Sequence, residues 1–341
     1  MKPQKLLIWL PSPLGDAIMA TPALRAFRSH FNNAKITFLA PEFTRQVLSP
    51  SPFCEDWIAL PKGFCQTIKM LKPYRFDTAI LLKNSFSAAL TVRLTGIQRR
   101  IGYARDGRSF LLTDKIAPLR TNKGDFKPAP MTEYYLKIAE HLDAPVNNQK
   151  TELSVTGESI KAVQEKIPGI QNGKEPLVVL VPGGAFGPSK LWPTERYAKL
   201  ADKLHEKYQA TVILSVAPIQ EEIQIAEKIC MYAASNVTHL GNSPLSGGEL
   251  KALFSLADVI ITNDTGPRHI AIALGKNVVS LFGPNNPQWT QTGHDKETQI
   301  VGKAPCVPCD RPQCGMERHI CMESITVNKV LGAAGQFLEA K

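Results

Sequence analysis

At 341 residues and 37.5 kDa the chain is longer than one ordinary core organises, so two domains are expected. A hydrophobic content of 43% with 21% charged residues describes an ordinary globular protein, and no apolar run approaches a membrane span. The formal charge of +10 is lopsided: residues 1–150 carry 22 Lys and Arg against 11 Asp and Glu, and the rest 18 against 19. The first half is therefore expected to meet something anionic, whether nucleic acid, a phosphorylated lipid surface or an acidic sugar, or else to present a plain solvated basic surface.

The N-terminal KLLIWLP has six apolar residues before a proline, too few for a signal peptide, so a cytoplasmic protein is expected. Short apolar runs then alternate with amphipathic ones. KLLIWL, KITFLA, DTAILL and RRIGYA predict strands, and AIMATPALRAFRSHF predicts a helix that Pro22 either kinks or truly starts. The polar stretch EKIPGIQNGKEP reads as a linker. Beyond it LVVLVP, TVILSV, VTHL, DVIITN and VVSLF predict strands, with ERYAKLADKLHEKY and QEEIQIAEKICMYAA as helices between them. Two consecutive βα runs predict an α/β protein of two doubly wound domains facing a cleft, with ligands beyond the carboxyl ends of the strands.

Four stretches stand at such ends. In LPSPLGDAIMA, Asp16 follows the first strand; it reads either as a helix cap or as a general base. A single glycine there excludes the dinucleotide pattern G-x-G-x-x-G. In VPGGAFGPSKLWP, Gly184, Ser189 and Lys190 suit an oxyanion, although the spacing is not a Walker A and a plain glycine-rich loop is the alternative. In TNDTGPRHIAIALG, the Thr265-Gly266 amides at a helix start suit a diphosphate, while Asp264 reads equally as a cap and His269 as a structural histidine. Glu222 starts the helix after TVILSV, where a carboxylate binds ribose hydroxyls or simply favours the helix dipole. No two aspartates stand in D-x-D spacing, so a bound diphosphate would be neutralised by amides and Lys190 without metal. Cys306, Cys309, Cys314 and Cys321, spaced C-x2-C-x4-C-x6-C, read as a structural zinc site or as reduced thiols. The basic residues of 93–108 lack the interleaved aromatics of a nucleic-acid groove, so no nucleic-acid partner is expected.

Taken together, PSPLGDAIMATPALRAF, LLKNSFSAALTVRLTGIQRRIGYARDGRSFLLT, VPGGAFGPSKLWPTERYAKLADKL, TNDTGPRHIAIALGKNVVSLFGPNNP and the cysteine-rich tail resemble the bacterial ADP-heptose:lipopolysaccharide heptosyltransferases, most closely the heptosyltransferase II type. The resemblance implies a GT-B fold of two Rossmann-like domains and inverting heptose transfer from ADP-heptose to the inner core of lipopolysaccharide, with no catalytic cofactor. It implies Asp16 as base, Lys190 on the donor phosphates, Glu222 on the ribose, and Gly184, Ser189, Asp264, Thr265, Gly266 and His269 in the donor site. The pattern departs at Val216, where the family often has glycine. Lys83, Arg93, Arg99, Arg100, Arg105 and Arg108 become candidate contacts to the anionic Kdo–lipid A acceptor, with peripheral attachment to the inner membrane face. The implied domains are an acceptor domain 1–165, a linker 166–176 and a donor domain 177–324, with the helical tail 325–341 crossing back onto the first domain. The same architecture serves another nucleotide-sugar or acceptor, a nucleotide-sugar epimerase, or a non-catalytic nucleotide-sugar-binding protein, and these readings stay open at the level of sequence.

Overall fold

The computed structural model describes residues 3–122, 124, 126–170 and 175–340; residues 171–174 of the expected linker lie outside the described residues. The chain divides into two compact units, Met1–Glu152 with Gln288–Thr292, and Leu153–Pro287 with Gly293–Lys341.

The first unit contains strands β1 (Lys5–Trp9), β2 (Lys35–Ala40), β3 (Asp56–Ala59), β4 (Thr78–Leu81), β5 (Arg99–Tyr103) and β6 (Asp114–Ile116). Its helices are α1 (Leu14–Met19), α2 (Thr21–His30), α3 (Glu42–Leu48), α4 (Phe64–Leu71), α5 (Phe86–Leu94) and α6 (Met131–His141). The sheet is parallel throughout, in the order β3-β2-β1-β4-β5-β6. Ile8 of the central β1 lies opposite Phe38 on one side and Ile80 on the other, all fully buried. Burial on both faces is why these strands read as continuous apolar runs. The edge strands β3 and β6, DWIA and DKI, were invisible to that signal because an edge strand keeps polar residues. The expected helix around Pro22 is two helices, and Pro22 sits at the second position of α2, where a missing N–H costs nothing.

The second unit repeats the plan with β7 (Leu177–Val181), β8 (Thr211–Leu214), β9 (Val237–His239), β10 (Val259–Asn263), β11 (Asn277–Phe282) and β12 (Glu297–Val301), parallel in the order β12-β11-β10-β7-β8-β9. Its helices are α7 (Gly157–Lys166), α8 (Thr194–Tyr208), α9 (Gln220–Tyr232), α10 (Gly247–Leu256), α11 (Gly266–Ala273), α12 (Ile320–Glu323) and α13 (Val327–Leu338). Two expected boundaries move. Helix α7 belongs to the second unit, not the first: it packs along α10, and Lys166 pairs with Glu249 at 2.6 Å. The Leu153 N–H already donates to the Ala273 carbonyl. The tail helix α13 does not cross back; it packs on α8, β10 and β11, where Val330 and Ala334 join the core around Trp192 and Tyr197. The Trp192 indole N–H donates to the Ile325 carbonyl at 3.0 Å, anchoring the chain just ahead of α13. Among the described residues no helix is long and apolar enough to cross a membrane.

Candidate active site

Asp16 lies in the first turn of α1, at the carboxyl end of the central strand of its sheet. It is not the cap: Pro13 holds that position, and no side chain caps the helix. Burial alone pushes the Asp16 carboxyl up to about 6, with no ion pair or hydrogen bond among the described residues to pull it back. Helix α6 packs against α1, and the Asp16 charge in turn helps raise the buried Tyr135 phenol on α6. Lys83 follows β4 into the same turn. Its backbone N–H donates to the Trp9 carbonyl, its ammonium donates to Ser12 Oγ at 2.7 Å, and burial lowers its pKa.

The other candidate acceptor contacts separate into different kinds. Arg93 is exposed near the end of α5. Arg105 lies over the Phe126 ring, 3.9 Å from its centroid, with Asp106 at 3.0 Å. It borders a cavity of about 320 Å³ also lined by Tyr103, Phe126, Tyr134, Lys137 and Trp289. Arg99 pairs with Asp114 at 2.7 Å, and Arg100 donates to the carbonyls of Leu111, Ile97 and Gln98. Arg108 corrects the expectation most sharply. It is fully buried and donates to the carbonyls of Tyr103 and Lys83 and to Asn84 Oδ1, so its guanidinium ties strand ends together and offers nothing to a ligand. Basic residues that share a stretch of sequence thus divide between surface and frame, because alternate strand and turn positions point opposite ways.

In the second unit Lys190 and Asp264 come together, as the loops after β7 and β10 meet above adjacent strands. The Lys190 ammonium, buried, donates to the Asp264 carbonyl at 2.5 Å and to its carboxylate at 2.9 Å, and lies 4.5 Å from the centre of the Phe186 ring. Arg268, also buried, reaches Asp264 at 3.3 Å and makes a two-pronged pair with Glu297 at 2.6 and 3.0 Å. Burial would raise the Asp264 carboxyl; the Lys190 and Arg268 charges outweigh it and hold the group below the usual carboxylate range. His269 is buried beside them. Desolvation, reinforced by the Arg268 charge, pushes its pKa down to about 3, so the ring is neutral at physiological pH, and its Nδ1 has no hydrogen-bond partner among the described residues.

Glu222 spans two loops: its carboxylate accepts from the Gly184 N–H at 3.0 Å and the Ala217 N–H at 2.7 Å. The glycines let the loop pass close to both side chains: a Cβ on Gly183 would push the Glu222 carboxylate aside and one on Gly184 would collide with the Thr265 methyl. Thr265 precedes α11 without capping it, and Gly266 is the helix's first residue, so its N–H has no intrahelical acceptor. Ser189 is a correction. Its hydroxyl donates to the Arg311 carbonyl at 2.6 Å and its N–H to the Pro312 carbonyl, so it fastens the cysteine-rich segment to the glycine loop instead of facing a donor. In that segment Cys306, Cys309 and Cys314 lie near enough to Cys321 for their charges to help raise its thiol pKa, none of the seven cysteines is in a disulfide, and among the described residues no three His, Cys, Asp or Glu side chains are grouped to hold an ion. Cys321 is buried in the core of its unit, where desolvation raises its thiol pKa, while Cys306 is exposed.

Sequence reasoning passed over Arg268, Glu297 and Asn263. Arg268 was detectable as an arginine four residues after an aspartate in an otherwise apolar helix. Glu297 lies on the unpredicted edge strand β12, and Asn263, whose amide donates to the Pro182 carbonyl at 3.0 Å, looked like the tail of an apolar strand.

Comparison with known proteins identifies the family and the fold. The profile of glycosyltransferase family 9 (heptosyltransferase) matches residues 65–320. The chain is 29% identical to lipooligosaccharide heptosyltransferase 2 of Haemophilus influenzae over 86% of its own length and 88% of that protein's. It is 28% identical to lipopolysaccharide heptosyltransferase 2 of Escherichia coli over 84% of each. Among solved structures it matches E. coli ADP-heptose LPS heptosyltransferase II with a TM-score of 0.80 at 26% identity, covering 98% of this chain and 99% of that one. A family 9 glycosyltransferase of Veillonella parvula shares the fold, with a TM-score of 0.83 at 19% identity, covering 99% and 98%.

Proposed function

The chain belongs to glycosyltransferase family 9, the heptosyltransferases, and has the GT-B fold; within that frame we propose that it moves heptose from ADP-heptose to the inner core of lipopolysaccharide, with inversion and with Asp16 as general base. The observation that carries the proposal is the desolvated, unpartnered carboxyl of Asp16 at the carboxyl end of its central strand. A carboxylate with pKa about 6 is ionised at neutral pH yet more basic than an ordinary aspartate, which suits it to take a proton from a sugar hydroxyl.

The acceptor oxygen attacks the anomeric carbon as its proton passes to Asp16, and the bond to the ADP oxygen breaks on the opposite face. The charge developing on ADP falls to the Thr265 and Gly266 amides at the start of α11 and to Lys190, donors held in place before the reaction and able to act without a metal. The Lys190–Asp264–Arg268 network fixes that ammonium, and neutral His269 adds a polar atom without adding charge. Glu222 ties the glycine loop to the loop after β8, the place expected for the ribose. Lys83, Arg93 and Arg105 remain as acceptor contacts, with Arg105 at a cavity whose aromatic walls and Lys137 suit an acidic sugar. The acceptor is lipid-anchored, so the enzyme works in the cytoplasm at the inner face of the inner membrane.

The decisive measurement is ADP release from ADP-heptose in chelator, with and without a Kdo–lipid A type acceptor, for wild type and Asp16→Ala. Acceptor-dependent release that persists in chelator and is lost in the variant is the expected result. Unchanged turnover in Asp16→Ala removes the base assignment, and acceptor-independent nucleotide release points to epimerase chemistry instead.

A further inference from the structure

A lysine ammonium has three N–H donors. Lys190 spends two of them on Asp264, one on the carbonyl at 2.5 Å and one on the carboxylate at 2.9 Å. The ring of Phe186 lies beside the same ammonium, its centroid 4.5 Å from Nζ. The Lys190 side chain is only 8% exposed, so an anion that takes the third donor must displace a neighbour. Asp264 is not the one to move, since it is buried and also held by Arg268 at 3.3 Å. Phe186 is.

Two observations leave that ring free to go. It is 36% exposed and takes no part in the core around Trp192 and Tyr197, so its contact with the cation is not a by-product of packing. Its loop is also pinned at both ends and loose between them. The Gly184 N–H is held by Glu222, and Ser189 by the carbonyls of Arg311 and Pro312. Between these anchors the N–H groups of Ala185 and Phe186 have no acceptor among the described residues. Gly187, the next residue, has a φ of +142°, a conformation that side chains other than glycine's rarely adopt.

A cation beside an aromatic face is drawn to the ring's quadrupole, and more strongly where water is excluded. We propose that Phe186 is a positioning residue acting through Lys190: its π face holds the ammonium between turnovers and yields it to the diphosphate of the donor. The proposal rests on the reading of Lys190 as a donor-phosphate contact given above. Ring and diphosphate then compete for one cation. The ring lowers the affinity for ADP, and by reclaiming the ammonium it favours departure of the product.

The test measures binding of ADP, inorganic pyrophosphate and adenosine by calorimetry. The proteins are wild type, Phe186→Ala, Phe186→Leu and Phe186→Tyr, with thermal unfolding as the control for folding. Phe186→Ala and Phe186→Leu should bind ADP and pyrophosphate about 2- to 30-fold more tightly than wild type, the range a cation–π contact spans. Phe186→Tyr keeps the π face and should bind as wild type does. Adenosine, which has no phosphate for Lys190, should bind all four alike. Unchanged or weaker binding of ADP and pyrophosphate in Phe186→Ala overturns the proposal, and so does a Phe186→Leu that matches wild type, because bulk and not the π face would then be at work. If pyrophosphate binding tightens in Phe186→Ala and Phe186→Leu while no protein binds ADP, the donor reading falls and the role of Phe186 stands. If ADP binds all four alike while heptosyl transfer proceeds, the role of Phe186 falls and heptosyl transfer stands.

Discussion

Asp16 and Asp264 occupy comparable places, each just beyond an internal strand of a parallel sheet where a helix begins, and the structure treats them in opposite ways. Asp16 is desolvated without a partner, and its carboxyl rises to about 6. Asp264 is more buried still, but Lys190 and Arg268 hold its charge, and its carboxyl falls below the usual range. Burial alone therefore does not set the role of a carboxylate. An unpaired one keeps its affinity for a proton and can act as a base, whereas a paired one fixes the position of its cations.

Replacing Asp16 with Asn offers the strongest challenge to this contrast. Heptosyl transfer should fall by about 10²–10⁴-fold in kcat while affinity for ADP stays unchanged, measured by ADP release and by calorimetry. Asp264→Ala should instead act on the fold. It leaves the buried Lys190 ammonium without its carboxylate while Arg268 keeps Glu297, and denaturant unfolding should show a loss of about 3–5 kcal/mol. The two aspartates should also differ in the sign of their effect on stability. Because the folded-state pKa of Asp16 lies above its unfolded value of 3.8, its ionisation destabilises the fold, with no penalty below pH 4 and the full penalty above pH 6. Asp16→Asn should then unfold at a higher temperature than wild type at pH 7, by an amount corresponding to ~1–3 kcal/mol, and the gain should vanish near pH 4. Asp264 behaves conversely, its stabilisation present above its unfolded value and lost as pH falls through the lower folded one. In wild type, kcat/KM should drop tenfold per pH unit below about 6, the limb belonging to Asp16. The smallest expected effect is that of Gly183→Ala. It forces the Glu222 carboxylate aside, and should cost roughly 1–3 kcal/mol and weaken ADP binding with little change in the pH limb.

The central strands were legible because a strand covered on both faces has no polar alternation to hide it, as KLLIWL and VVLVP illustrate. The edge strands DWIA, DKI and ETQIV were not, since their polar residues carry no periodic signal. Residue type and position after a strand were enough to single out Asp16, Lys190, Glu222 and Asp264. They were not enough to say that Ser189 faces Arg311 instead of a ligand, or that Arg108 is sealed in the frame.

By itself, then, the sequence determined two parallel α/β units, an excess of positive charge in the first, and glycines where loops pass close to side chains. These follow from local rules of periodicity, composition and backbone freedom. Only the tertiary structure decided which of two similar aspartates is left without a counter-ion, and where α7 and α13 pack. Those outcomes depend on residues far apart in the chain, because desolvation and pairing are set by whatever the fold brings alongside each group.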